Sequence, residues 1–370
     1  MFIIFAAFIL AAPQLHAQFY DNAKGSPLVA LLESAQKSIK IEIYEMNDEK
    51  VLTALSEALD RGVEVSIVQE PNPLQSPCQI FTQISTHDNP VCKNQKKLVA
   101  AVKNHGGKYE AFNKVELCGI EGKSCFQHGK IALIDDHTAV ISTGNFNDSN
   151  LCDLDQSPDV CNRDYSFVTN DQEILSGLNS FFEQDLLGKR YDPLSLMTST
   201  LKSKLTVSSI SLDNILEFIA SAKKSIQIQN QYLEEPALNE ALIKAAKRGV
   251  QVEAMVSDVC NFQKPSPGKH AQITETFTGF DKAGISSRLF NKKHLINGKP
   301  GYLHAKAIVV DGQYAWVGSM NGSTESATMN REYGIYFEQP RWVSQLSKIM
   351  KADYEDPTAQ TWEQSLRCQS

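Results

Sequence analysis

The run "YLHAKAIVVDGQYAWVGSMN", residues 302 to 321, reads as two strands joined by a tight turn, yet it carries His304 and Lys306 two apart in an otherwise apolar stretch. Residues i and i+2 of a strand project from one face. That pair suits an anion better than a core: Lys306 brings charge, and Ser319 and Asn321 on the returning strand bring neutral donors for phosphate oxygens. The same spacing recurs in "FQHGKIALIDDHTAVISTGN", residues 126 to 145. There His128, Lys130, Asp135, Thr143 and Asn145 match His304, Lys306, Asp311, Ser319 and Asn321, and Ser142 stands where Gly318 does.

The repeat extends outward from these runs. "SAQKSIKIEIYEMNDEKVLTALSEALDRGVEV" from Ser34 matches "SAKKSIQIQNQYLEEPALNEALIKAAKRGVQVEAMV" from Ser221 nearly position for position. Each copy predicts an alternating strand, a helix with apolar spacing of three and four that stops at Arg61-Gly62 or Arg248-Gly249, and a second strand. Farther on, "NRDYSF" and "NREYGI" give Asp164 and Glu332 the same relative place. Such self-similarity, with strands and helices alternating, implies an α/β fold of two duplicated layered halves, 18–195 and 205–370, joined near "YDPLSLMTST". Two inserts break the symmetry, a Cys-bearing loop at 71–92 and "DLDQSPDVC" at 153–161.

A chain of 370 residues with 42% hydrophobic residues can bury substantial cores. Its net charge of -7 provides no overall field to concentrate nucleic acid. Residues 1–17 hold an apolar run suited to a signal peptide, so a periplasmic or secreted location is expected. The eight cysteines then favour disulfides. Short-loop closure pairs Cys78 with Cys92, Cys118 with Cys125 and Cys152 with Cys161, which leaves Cys260 for Cys368. No CxxC or paired-His spacing suggests zinc, so neither metal nor cofactor is expected.

The duplicated HxKxxxxD with its following GSxN resembles the signature of the phospholipase D superfamily, and the likeness covers nearly the whole chain after the leader. It implies two α-β-α sandwich halves with mixed sheets packed about a pseudo-twofold axis, with the active site at their interface. It further implies that His128 attacks a phosphodiester to form a phosphohistidine, while His304 protonates the departing alcohol and then activates the incoming one. Asp164 is expected to orient His128, and Glu332 to orient His304. Environments that separate the two histidine pKa values would suit this division of labour. Lys130, Lys306, Asn145 and Asn321, with the hydroxyls of Thr143 and Ser319, are expected to hold the phosphate without a metal. Asp135 and Asp311 are read as structural, beside the cleft.

Three functions fit this pattern: a phospholipase D-like phosphodiesterase that hydrolyses or transphosphatidylates phospholipid at a membrane surface, a metal-independent endonuclease, and an inactive lipid-binding protein. Acidic charge and export favour the first. Tyr44, Tyr232 and Trp316 are candidates for a lipid-facing rim, with simple packing as the competing reading. His137 and His294 are read as surface residues. The lysines of "KNQKK" and "NKKH" are read as solvated faces.

Overall fold

The computed structural model describes residues 17–74, 76–78, 80, 81, 89–118, 125–152, 158–208, 212–261 and 264–368. The leader assigned to residues 1–17 thus lies, except for Ala17, outside the described residues. Seventeen strands appear in chain order among them: β1 (Gln18–Asp21), β2 (Ser38–Ile43), β3 (Glu64–Gln69), β4 (Lys108–Ala111), β5 (Lys130–Ile134), β6 (Thr138–Ser142), β7 (Cys161–Arg163), β8 (Tyr165–Thr169), β9 (Leu205–Ser208), β10 (Ser225–Asn230), β11 (Gln251–Ser257), β12 (Ser286–Phe290), β13 (Leu295–Ile296), β14 (Lys299–Leu303), β15 (Ala307–Val310), β16 (Tyr314–Gly318) and β17 (Glu332–Phe337).

They form two seven-stranded mixed sheets of matching topology. The first runs β1-β8-β6-β5-β2-β3-β4, and the second, read in the same sense, runs β9-β17-β16-β15-β10-β11-β12. In each, the first βαβ unit is parallel and the His-Lys strand returns antiparallel against it, β5 on β2 and β15 on β10. The crossover helices obey local sequence signals. Asp48 caps helix Glu49–Asp60 by accepting from Val51 N at 2.9 Å. The helix ends at Gly62 with φ 84°, a left-handed conformation that glycine adopts without penalty, as Gly249 does at φ 93° after helix Pro236–Lys247.

Strand alternation sorts the cores. On β2, Ile39, Ile41 and Ile43 face an outer helical layer, and on β10 Ile226 and Ile228 do the same in the second half. The opposite faces, with Ile131 and Leu133 of β5 and Ala307 and Val309 of β15, meet in one apolar core shared by both halves. Helices Gln172–Leu187 and Pro340–Glu355 also contribute to that shared core. The sheets are therefore welded face to face, and the pseudo-twofold axis passes between them.

A third, small sheet crosses the boundary. β7 of the first half pairs in parallel with β14 of the second, Arg163 opposite Leu303, and the bridge of Gln127 to Arg331 is its reciprocal. All four expected disulfides form, with Cα separations of 5.1, 5.7, 4.9 and 5.4 Å for Cys78–Cys92, Cys118–Cys125, Cys152–Cys161 and Cys260–Cys368. Among the described residues no helix is long and apolar enough to cross a membrane.

Candidate active site

Each motif histidine precedes its strand, His128 by two residues and His304 by three, so His304 and Lys306 lie in the link between β14 and β15 and not along one strand as expected; the crossing segments deliver each histidine to the interface. His128 N donates to Arg331 O at 2.8 Å, and His304 N donates to Arg163 O at 3.2 Å. Because each histidine lies beside the other half's arginine, the next residue along supplies its carboxylate. His128 Nδ1 is 2.9 Å from Glu332 Oε2, and His304 Nδ1 is 3.0 Å from Asp164 Oδ1. This reverses the expected assignment of Asp164 to His128 and Glu332 to His304. Sequence proximity suggested partners within one half, whereas the parallel pairing across the axis exchanges them.

An ionised carboxylate only accepts, so each Nδ1 carries the hydrogen and each Nε2 presents a lone pair. Burial pushes the His128 imidazole down to about 4, against an opposing pull from Glu332. His304 is likewise pushed down to about 4, by burial and then by Lys306. The expected separation of the two values is thus absent, and both rings are neutral at pH 7. Burial alone would raise the Asp164 and Glu332 carboxyls, but their histidine partners and the lysines hold both below the ordinary carboxylate range.

Lys130 and Lys306 are fully buried, and each ammonium donates to the carbonyl of its own histidine. Burial lowers Lys306 to about 8 and takes Lys130 well below its ordinary value. The halves differ here. Lys306 Nζ lies 3.2 Å from His304 Nε2, while Lys130 Nζ lies 5.3 Å above the Tyr44 ring, whose centroid is 5.0 Å from that of His128. Asn145 and Asn321 follow the returning strands, and each leaves a buried amide oxygen without a hydrogen-bond partner.

The hydroxyls expected to bind phosphate are committed elsewhere. Thr143 Oγ1 donates to Asp164 Oδ1 at 2.6 Å and accepts from Tyr165 N at 2.9 Å; Ser319 Oγ accepts from Tyr333 N at 3.0 Å. Both residues are wholly buried behind the carboxylates, so they orient the pairs from the rear. Asp135 and Asp311 are also displaced from the expected place. They follow the far ends of β5 and β15, about 16 Å of strand from the lysines. There Asp135 accepts from the N–H groups of Gln36, Lys37 and Ser38, and Asp311 from those of Lys223, Lys224 and Ser225.

Two polar residues escaped the sequence reading. Asn150 Nδ2 donates to Asp164 Oδ2 at 2.5 Å, and Ser326 Oγ donates to Glu332 Oε1 at 2.5 Å. They sit five residues past Asn145 and Asn321, so the duplication held the signal, although Asn and Ser do not match as letters. Gly144 is likewise required, because a Cβ there would lie 2.6 Å from the Asp164 carboxyl. Behind the histidines, Arg163 binds Asp353 at 2.8 and 2.9 Å, and Arg331 binds Asp185 at 2.7 and 3.0 Å. Each ion pair is buried and joins one half to the other.

Of the remaining expectations, His137 is exposed, but His294 is only 9% exposed and its Nδ1 lies 3.1 Å from Asp356 Oδ2. Trp316 is core, donating to Thr206 Oγ1 at 3.0 Å, and forms no rim. Tyr44 and Tyr232 do lie near the site strands, Tyr44 accepting from Leu74 N at 2.6 Å and Tyr232 from Gln231 Nε2 at 3.0 Å. Lys93 and Lys97 are exposed on helix Pro90–Asn104. Among the described residues no group of three or more His, Cys, Asp or Glu is placed to hold a metal ion.

Duplicated sheets that face each other across a pair of His–carboxylate couples define a two-motif α/β protein of the phospholipase D class. The chain belongs to the cardiolipin synthase, phospholipase D-like domain family, whose model matches residues 28–186 and 215–354. Among curated relatives, it is 30% identical over 139 residues to a cardiolipin synthase of Listeria welshimeri, covering 37% of this chain and 26% of that protein. It is 25% identical over 364 residues to a cardiolipin synthase of Clostridium perfringens, covering 91% of this chain and 68% of that one. The chain therefore spans about a quarter of the length of the first relatives it matches. Among solved structures, phosphatidylserine synthase of Haemophilus influenzae is similar at TM-score 0.61 and 14% identity, covering 93% of this chain and 87% of that one. Polyphosphate kinase of Porphyromonas gingivalis is similar at TM-score 0.60 and 15% identity, over 94% of this chain and 51% of that one. These two likenesses establish the fold.

Proposed function

We propose that the protein transfers the phosphatidyl group of a phospholipid to water or an alcohol through a phosphohistidine on His128. The exchanged pairs, His128 with Glu332 and His304 with Asp164, carry this reading. His128 Nε2 attacks phosphorus, the phosphorus–alcohol bond breaks, and His304 protonates the leaving oxygen. The incoming water or alcohol then gives its proton to His304 Nε2 and attacks phosphorus, which releases His128. Lys306 Nζ lies beside Nε2 of His304 and encumbers that lone pair, which leaves His128 the freer nucleophile. The phosphodiester's negative charge, arriving between two buried neutral rings, favours the imidazolium that the first step consumes. Lys130, Lys306, Asn145 and Asn321 would hold the nonbridging oxygens.

The cardiolipin synthase relatives support a phospholipid substrate and, with it, action at a membrane surface. The four disulfides support export to an oxidising compartment. Recovery of the protein only from the cytosol, with its thiols reduced, would refute that location. For the reaction, the test is incubation with phospholipid vesicles in a chelator, with plasmid DNA in parallel. Head-group release that is lost in His128→Ala and in His304→Ala is expected, together with an acid-labile phosphoenzyme in the wild type. Plasmid nicking without lipid turnover would overturn the reading.

A further inference from the structure

Glu42 lies in β2 with no exposed surface, and neither of its carboxyl oxygens has a hydrogen-bond partner. Its neighbours Ile41 and Ile43 face the outer helices, so strand alternation turns Glu42 inward, between the sheets. There a second carboxylate, Asp185, faces it. Asp185 already accepts from Arg331 and from the Tyr191 hydroxyl at 2.9 Å. The titratable and charged groups around Glu42 are thus Asp185 and Tyr191 from one half, and Arg331 and Tyr333 from the other. Two ionised carboxylates only accept, so their contact needs a proton on one of them.

The duplication supplies an internal comparison. Gln229 holds in β10 the position Glu42 holds in β2, four residues after Ser225 as Glu42 is after Ser38. Gln229 Nε2 donates to Asp353 Oδ2 at 3.0 Å, and its Oε1 accepts from the Tyr165 hydroxyl at 2.7 Å. Asp353 is the counterpart of Asp185, Arg163 of Arg331, and Tyr165 of Tyr333. The surrounding triad is the same in both halves, and only the central residue changes from glutamine to glutamate. A protonated carboxyl offers one donor and one acceptor, the same two functions Gln229 uses.

The geometry points to Glu42 as a positioning residue that stays protonated, donating to Asp185 as Gln229 donates to Asp353 and so bracing Arg331 behind His128. Burial and then Asp185 push the Glu42 carboxyl well above the usual carboxylate range, in the same direction. The connection to the site is short. Arg331 O accepts from His128 N, and the next residue, Glu332, holds the imidazole. Ionising Glu42 would set two buried negative charges against one guanidinium.

A group raised in the folded state contributes its stability fully below its unfolded value, about 4.3 for glutamate, and loses it as pH rises through the folded value. Folding constants of the full chain with disulfides intact should therefore be measured by urea titration across pH 5 to 9 for the wild type and Glu42→Gln. The ratio of variant to wild type is expected to rise about tenfold per pH unit until the native group titrates. Infrared spectra at pH 7 should show a protonated-carboxyl band that shifts in D2O and is missing from Glu42→Gln. Should that variant fail to fold, Gln229→Glu provides the reciprocal test: it should gain both the band and a loss of stability with rising pH. Parallel pH profiles for the wild type and the variants, with no carboxyl band at pH 7, would show Glu42 to be ionised and overturn the proposal.

Discussion

Asp164 of the first half hydrogen-bonds His304 of the second at 3.0 Å, and its other oxygen is held by Asn150. Neither half therefore contains a complete histidine–carboxylate pair of its own. The two pairs exist only where the sheets meet.

Exchange of the carboxylates makes the two neutral substitutions distinguishable. Glu332→Gln should impair His128 and slow phosphoenzyme formation, whereas Asp164→Asn should impair His304 and slow both its formation and its breakdown. Each should lose roughly 10²- to 10⁴-fold in kcat, by analogy with other orienting and proton-transferring groups. Rapid-quench measurement of labelled phosphoenzyme reads the difference. Equal effects of both substitutions on every step would contradict the crossed arrangement.

The titration of the site sets the pH range. Because the first step needs His128 neutral and His304 protonated, and both imidazoles are lowered to about 4, kcat/KM should peak near pH 4 and fall above it, well below the 6.5 of a free histidine. Lys306, lowered to about 8, should add a second alkaline limb near pH 8 as its ammonium is lost. Lys306→Arg should remove that limb, since arginine stays protonated, even at reduced activity. The histidines also bear on stability. Their unfolded values lie above the folded ones, so their contribution is full above about pH 6.5 and declines as pH falls toward 4. Urea midpoints measured for wild type against His128→Gln should diverge across that window; identical slopes would show that His128 titrates normally.

Asp135→Ala should weaken folding while sparing the chemistry. The carboxylate accepts three consecutive backbone N–H groups at the start of β2, far from the lysines. Loss of this cluster should cost about 1–3 kcal/mol. Well below the melting temperature, kcat/KM should stay close to that of the wild type, and Asp311→Ala should behave alike. A large loss of kcat in a folded variant would place these aspartates in the reaction after all.

Arg331→Met removes one partner of a buried pair and leaves Asp185 uncompensated. A cost of about 3–5 kcal/mol is expected. Arg331→Met with Asp185→Leu should recover part of it, because an apolar replacement removes the stranded charge. A double variant no more stable than the single one would show that packing, not charge, dominates at this position.

Much of this protein was legible in the chain itself. The pairing of "SAQKSIKIE" with "SAKKSIQIQ" and of the two His-x-Lys runs marks a duplication, and strand and helix periods are local properties that survive translation into structure. Same-face projection of His304 and Lys306 does not follow from strand pitch, because both lie between β14 and β15, but the spacing of the two His-x-Lys runs survives in the structure. So does the disulfide pairing of close cysteines, since short loops close at least cost.

What the tertiary structure decided was everything that depends on how one half meets the other. The parallel contact of β7 with β14 and its reciprocal at Gln127 and Arg331 exchange Asp164 and Glu332 between the histidines. Burial at that contact then turns Thr143 and Ser319 to the rear and makes both imidazoles neutral. It also brings Arg331 and Tyr333 of the second half to Glu42 and Asp185 of the first. Sequence encodes which residues lie along a strand, but the field at a buried residue is the sum over neighbours that only the assembled interface brings within reach.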